Sequence, residues 1–246
     1  MAIHDHNSQR LFVEAGLRAG EALAASEPQA NYLLRVLRLG NGDRLLIFNG
    51  RDGEWRAEIR ATTKRGCSLL PLQQTRPQSS GPDVHYLFAP LKRSRLDYMV
   101  QKAVELGVAR LAPVLTRRTT PERVNLERMR ANAIEAAEQC GIVHLPDIVE
   151  PMKFEAVLAT WDETRRLIFC DEAAPIADPI QTLLPLHGQP LALLIGPEGG
   201  FDSQERALLL SKPYVTAISL GPRIMRADTA AVAALALVNA TIGDWR

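Results

Sequence analysis

Two short stretches carry the residue types of a ligand site. The first, LIGPEGG at residues 194–200, sets Gly196, Gly199 and Gly200 around Pro197 and Glu198. Glycines reach backbone angles closed to other residues and let a ligand approach the main chain, while proline stiffens the loop between them. The second, SLGPRIMRADTA at 219–230, repeats the Gly-Pro pair at Gly221 and Pro222 and adds Arg223, Arg226, Asp228 and Thr229. A phosphate-binding P-loop needs Lys and Ser/Thr after its glycines, and a dinucleotide fingerprint needs GxGxxG; neither pattern is present. Glu198 repels a bare phosphate. A neutral or cationic ligand with many hydrogen-bonding edges, such as a nucleoside carrying a sulfonium, fits the first stretch better. Arg226 suits a phosphate or an anion developing on a base, and Asp228 and Thr229 read as caps of the helix that follows. A plainer reading makes both stretches tight turns that only close strand–helix units.

Both stretches follow apolar runs. Leu191 to Ile195 is unbroken, the mark of a strand covered on both faces, and Asp202 or Ser203 is placed to cap the next helix. The same alternation extends back to residue 84. Strands are expected at 84–90, 109–116, 165–171, 190–196 and 214–221, and helices at 93–107, 125–140 and 228–242. This predicts an α/β domain with a mostly parallel sheet, in which ligands bind outside the carboxyl ends of the strands. The stretch QQTRPQSSGPD, 73–83, reads as a linker. Before it, turn signals at Asn49-Gly50 and Asp52-Gly53 separate short strands, and PQANYLLRVLRL forms a helix. The expected organisation is a small β-barrel over 1–72, a linker over 73–83 and the α/β domain over 84–246.

Net charge is only +1, yet it is unevenly spread. Residues 1–130 hold 21 Lys/Arg against 13 Asp/Glu, and residues 131–246 hold 8 against 15. That asymmetry points to a basic face for a polyanion such as RNA, with Arg35, Arg38, Lys92, Arg93, Arg95, Arg117 and Arg118 as phosphate contacts. Lys102 and Glu105 lie three apart on one helix and are expected to pair with each other. Three scattered cysteines form neither a disulfide framework nor a CxxC metal site, and His4 with His6 lacks a third ligand, so no metal is expected. The polar start of the chain and the lack of an apolar run near ~18 residues point to a cytoplasmic protein with no membrane partner.

Together LIGPEGGF, SLGPRIMRADTA, KAVELGV (102–108) and EAAEQCG (135–141) resemble the ribosomal RNA small subunit methyltransferase E family, and the likeness covers nearly the whole chain. The N-terminal RLFV (10–13) and LLRVLRLGNGDRLLIFNG (33–50) are similar to that family's PUA-like RNA-binding domain. The resemblance implies a SPOUT-class domain, with a trefoil knot and a homodimer, that methylates N3 of uridine 1498 in 16S ribosomal RNA. The implied cofactor is S-adenosylmethionine, held by Leu194, Ile195, Gly196, Pro197, Glu198, Gly199 and Gly200 and by Ser219, Leu220, Gly221, Ile224, Met225 and Arg226. Uracil N3 must lose a proton before it attacks, so a base or an anion-stabilising cation is required. Arg226 and Glu198 are the expected catalytic groups, and Arg10 is expected to hold RNA or reach the reactants. Three positions depart from the family pattern: Ile142 stands where Arg is usual, Asp228 where Glu is usual, and Met225 where Leu is usual. The competing expectations are a SPOUT enzyme acting on a transfer-RNA base or a ribose 2′-hydroxyl, and an assembly factor that binds RNA without chemistry.

Overall fold

The computed structural model describes residues 8–61, 66–119, 123–175 and 177–245. The chain divides into two compact units, Met1–Ser80 with Ala137–Leu145 and Gly81–Ala136 with Pro146–Arg246. His4 and His6 lie outside the described residues.

The first unit is built on β1 (Arg10–Phe12), β2 (Leu23–Ala24), β3 (Arg44–Phe48), β4 (Glu54–Ala61) and β5 (Cys67–Arg76), in the order β1-β3-β4-β5-β2. The sheet is a half-barrel, with β1 and β2 at the two ends of the ladder. Ala57 and Ile59 on β4 and Cys67 and Leu69 on β5 follow the two-residue period and join Leu11, Leu33, Leu45 and Ile47 in one core. The turn from β3 to β4 is the one its Asn-Gly and Asp-Gly pairs predict. Asn49 Oδ1 accepts from the Arg51 and Asp52 amides, and Gly50 and Gly53 take φ of 78° and 74°. A Cβ on Gly53 would lie 2.3 Å from the Arg76 carbonyl oxygen, so this position admits only glycine. The helix expected at PQANYLLRVLRL forms as α1 (Glu27–Asn31) running into a π-turn at Tyr32–Val36, and Ser26 and Gln29 make a capping box.

Two boundaries differ from the sequence expectation. Strand β5 runs on to Arg76, so residues 73–76 are strand rather than linker. Residues 137–145, read as part of the α/β domain, pack into the first unit. The physical reason is Arg10. Its Nε bonds Glu54 at 2.8 Å, Nη1 donates to the Ala137 and Glu138 carbonyls, and Nη2 donates to the Ile142 carbonyl at 2.9 Å. Those carbonyls lie at and just beyond the end of the helix Leu126–Cys140, where main-chain acceptors run short of helical partners.

The second unit alternates β6 (Val84–Phe88), α2 (Arg93–Glu105), β7 (Arg110–Leu115), α3 (Leu126–Cys140), β8 (Asp147–Ile148), β9 (Met152–Lys153), α4 (Phe154–Ala159), β10 (Arg166–Cys170), α5 (Pro179–Leu183), β11 (Leu191–Ile195), α6 (Ser203–Leu210), β12 (Val215–Ile218) and α7 (Ala227–Ile242). The sheet order is β12-β10-β11-β6-β7-β8, with β9 also on β7, and every described pairing is parallel. All five residues of β11 are buried, as their apolar run requires. Helix α2 buries Leu96, Met99, Val100, Ala103 and Val104 at helical spacing and stops at Gly107, whose φ of 80° suits a C-terminal cap. Helix α7 buries a stripe of small residues, Ala227, Ala230, Ala231 and Ala234, which lets it pack closely on α2 and β11. Its one buried amide, Asn239, is satisfied by the Leu106 carbonyl at 2.8 Å. No helix among the described residues is long and apolar enough to cross a membrane.

Candidate active site

Parallel strands point all their carboxyl ends the same way, so the loops after β10, β11 and β12 share one edge of the sheet. There they enclose a cavity of about 330 Å³. Ile195, Gly196, Pro197, Glu198 and Gly200 form one wall, and Ser219, Leu220, Gly221, Ile224 and Met225 form the facing one. The floor comes from residues that sequence reasoning did not select: Asp171, Glu172 and Arg206. The available signal was position, since Asp171 directly follows the strand Arg166–Cys170. Asp171 is 5% exposed, and Arg206 Nε lies 3.1 and 3.0 Å from its two oxygens. Cys170 also lines the cavity, and burial pushes its thiol well above its ordinary pKa.

The glycine turn has a built geometry. The Gly200 amide bonds the Pro197 carbonyl at 2.9 Å, closing a turn with Glu198 and Gly199 at its corners, and Gly200 takes φ of 67°. A Cβ on Gly196 would come 2.7 Å from Phe201 Cε2. That ring is fixed in turn by Phe169 and Phe154, at centroid distances of 5.2 and 5.7 Å. Asp202 caps α6 as expected, accepting from the Gln204 and Glu205 amides at 2.8 Å, while Glu205 returns a bond to the Asp202 amide at 3.2 Å. The Glu205 amide first, and Arg117 with it, hold the Asp202 carboxyl below its ordinary pKa.

Several expected residues stand elsewhere. Leu194 is 2% exposed and belongs to the sheet's hydrophobic core, because the alternation along β11 turns it away from the loop end. Gly199 is outside the lining, its carbonyl accepting from Arg118 Nη1 at 2.7 Å. Arg226 is exposed at the N-cap of α7, between Met225 and Ala227, which line the cavity, and is itself outside the lining. The caps expected from Asp228 and Thr229 do not form: Arg226 occupies the N-cap, and Asp228 bonds the neighbouring Thr229 amide at 2.9 Å.

Arg10 is withdrawn as an RNA or reactant contact. Its side chain is 8% exposed, four of its N–H groups are taken by Glu54 and the three carbonyls, and it stacks 4.5 Å above the Phe48 ring. Glu54, 4% exposed, also receives Arg76 and Thr75; burial would raise its pKa, but these partners and Arg10 hold it below the ordinary value. Among the other expected phosphate contacts, Arg35, Arg38, Lys92 and Arg93 are exposed. Arg95, Arg117 and Arg118 face the first turn instead. Arg95 Nη1 lies 3.3 Å from Glu198, and Arg117 Nη1 lies 2.8 Å from Asp202. The expected pair of Lys102 and Glu105 forms at 2.7 Å.

The family model described as RNA methyltransferase domain matches residues 78–239, and the one described as RNA methyltransferase PUA domain matches residues 26–72. The chain is 30% identical over 232 residues to the ribosomal RNA small subunit methyltransferase E of Rickettsia conorii, covering 94% of each chain. It is 32% identical over 219 residues to the protein of that name from Synechocystis, covering 87% of this chain and 71% of the relative. Among solved structures, a methyltransferase from Legionella pneumophila in complex with bound SAM superposes with a TM-score of 0.83 at 27% identity, over 95% of this chain and 98% of that one. The strand-end cavity, the paired Gly-Pro turns and these likenesses agree: the chain belongs to the ribosomal RNA small subunit methyltransferase E family.

Proposed function

We propose that this protein transfers a methyl group from S-adenosylmethionine to N3 of uridine 1498 in 16S ribosomal RNA of the small subunit. The observation that carries the reading is the cavity walled by the two Gly-Pro turns. Its volume lies in the range of small-molecule and cofactor sites. The residues suit the cofactor. The turns offer bare main chain to an adenosine, and the lining sets three carboxylates, Glu198, Glu172 and Asp171, against Arg206 and Arg223, which leaves carboxylate partners for a sulfonium and an ammonium. Gly196, Pro197 and Gly200 on one side, with Leu220, Gly221 and Met225 on the other, hold it. When bound, the cofactor supplies an electrophilic methyl carbon.

The remaining work falls to this chain. Uracil N3 holds its proton at neutral pH, so the attacking ring must be made anionic. Glu198, on the cavity wall, accepts that proton, and the exposed guanidinium of Arg226, beside the cavity mouth, stabilises the negative charge left on the ring. Arg35, Arg38, Lys92 and Arg93 meet phosphates, so affinity for RNA falls as salt rises. The trefoil knot, the homodimer and the cytoplasmic setting of the family belong to the same reading, as does a division of labour between an RNA-holding first unit and a transferring second one.

Purified protein, labelled S-adenosylmethionine and small-subunit RNA from cells lacking the protein test the proposal. Label confined to a single uridine, and to its N3 by mass mapping, is the expected result. Label on a ribose hydroxyl, on transfer RNA or nowhere contradicts it.

A further inference from the structure

The turn after β7 reaches across to the glycine turn after β11. Residues Thr116–Thr119 form a closed turn: the Thr119 amide bonds the Thr116 carbonyl at 3.1 Å, and the Thr116 amide bonds Thr119 Oγ1 at 2.9 Å. Thr116 is 8% exposed, so this turn is anchored. Two arms reach from it to the glycine turn. The Arg117 amide donates to Glu205 Oε1 at 2.9 Å, and Glu205, 3% exposed, uses its other oxygen on the Asp202 amide at 3.2 Å. The second arm is the Arg118 guanidinium, which donates to the Gly199 carbonyl at 2.7 Å.

That single bond controls more than one atom. The Gly199 carbonyl and the Gly200 amide belong to one planar peptide group and point in opposite directions. With the carbonyl held on Arg118, the amide is held across the turn on the Pro197 carbonyl, at 2.9 Å. Between two glycines no Cβ resists rotation of this peptide plane, so its restraint comes from hydrogen bonds: one inside the turn, to the Pro197 carbonyl, and one from outside it, from Arg118. We propose that Arg118, seated by Glu205, is a positioning residue for the cofactor turn: it fixes the Gly199–Gly200 peptide plane and so presets the wall against which S-adenosylmethionine binds. This rests on the reading that the cavity holds that cofactor.

The test is Arg118→Ala, an exposed position, with Arg118→Lys as the conservative partner. Isothermal titration should show cofactor affinity weakened about tenfold in Arg118→Ala and partly regained in Arg118→Lys, whose ammonium can still donate to one carbonyl. The cofactor KM should rise while kcat at saturating cofactor holds, and RNA affinity, its salt dependence and the melting temperature should stay unchanged. If instead cofactor affinity is unchanged while RNA binding weakens and its salt slope drops by about one, Arg118 is a phosphate contact and the inference is overturned. No change in either affinity overturns it equally. Failure of the unaltered chain to bind the cofactor would sink the functional reading, and this inference with it.

Discussion

Residues 196–205 are held at several points: the Pro197–Gly200 bond, Arg118 on the Gly199 carbonyl, Phe201 against Phe154 and Phe169, and the Asp202–Glu205 capping box tied to Arg117. Residues 219–226, on the facing wall, are held by fewer bonds: the Gly221 amide donates to Ser219 Oγ at 3.2 Å, and the Arg226 carbonyl accepts from the Ala230 amide at 2.8 Å. Their helix starts without a side-chain cap, and Ile224 stands 87% exposed. One wall of the site is preformed and the other is loosely held. A preformed wall lowers the ordering cost of binding, and a loose one lets a ligand enter before the site closes. The contrast also explains why substitutions of like chemistry should act differently on the two sides.

The largest expected effect is on transfer. Arg226→Ala, on the loose side, should lower the single-turnover rate by about 10²- to 10³-fold with cofactor affinity intact; an unaltered rate removes Arg226 from the mechanism. Next is Gly196→Val on the preformed side. Its Cβ meets the Phe201 ring at 2.7 Å, and that ring, packed on Phe154 and Phe169, can yield only toward the cavity, so overpacking should cost about 1–3 kcal/mol in a thermal melt and weaken cofactor binding markedly. Gly221→Ala is the matched change on the loose side. There φ is 100° but a Cβ would meet nothing within 4 Å, so only backbone strain, about 1 kcal/mol, should register. Equal losses from these two variants would break the comparison. Asp202→Ala removes the cap of α6 and should cost about 1 kcal/mol, with a smaller loss of cofactor affinity than Gly196→Val.

A pH series supplies the background on which these are read. His85 sits at the amino-terminal end of the sheet, and burial, with Arg165 and Arg110 nearby, depresses its pKa to about 4. Unfolded, it titrates near its ordinary 6.5. As pH falls from about 6.5 to 4 the unfolded chain binds a proton that the folded one refuses, so stability should decline across that window. His85→Gln should flatten that part of the melting curve and leave cofactor affinity alone; an unchanged slope would show that His85 is not the titrating group.

The preformed wall was legible in the sequence because its signals are local. An apolar strand, a Gly-Pro-Glu-Gly-Gly turn and an Asp three residues before Glu205 each act within one turn of chain. The alternation from residue 84 likewise exposed the parallel sheet and its carboxyl edge. What stayed hidden depends on pairs far apart in the chain. Arg10 looked like an RNA contact because nothing near it in sequence announces Glu54 or the carbonyls at the end of α3. Arg117 and Arg118 looked the same for the same reason: Glu205 and Gly199 lie more than eighty residues away. Those pairings are set when the sheet assembles, and periodicity carries no record of them.

Amide hydrogen exchange with and without saturating S-adenosylmethionine tests the central claim most directly. The Gly200, Asp202, Gln204 and Glu205 amides should exchange slowly in both states, while residues 219–226 exchange quickly alone and gain strong protection with the cofactor. Protection that appears elsewhere in the chain, or in neither turn, would contradict it.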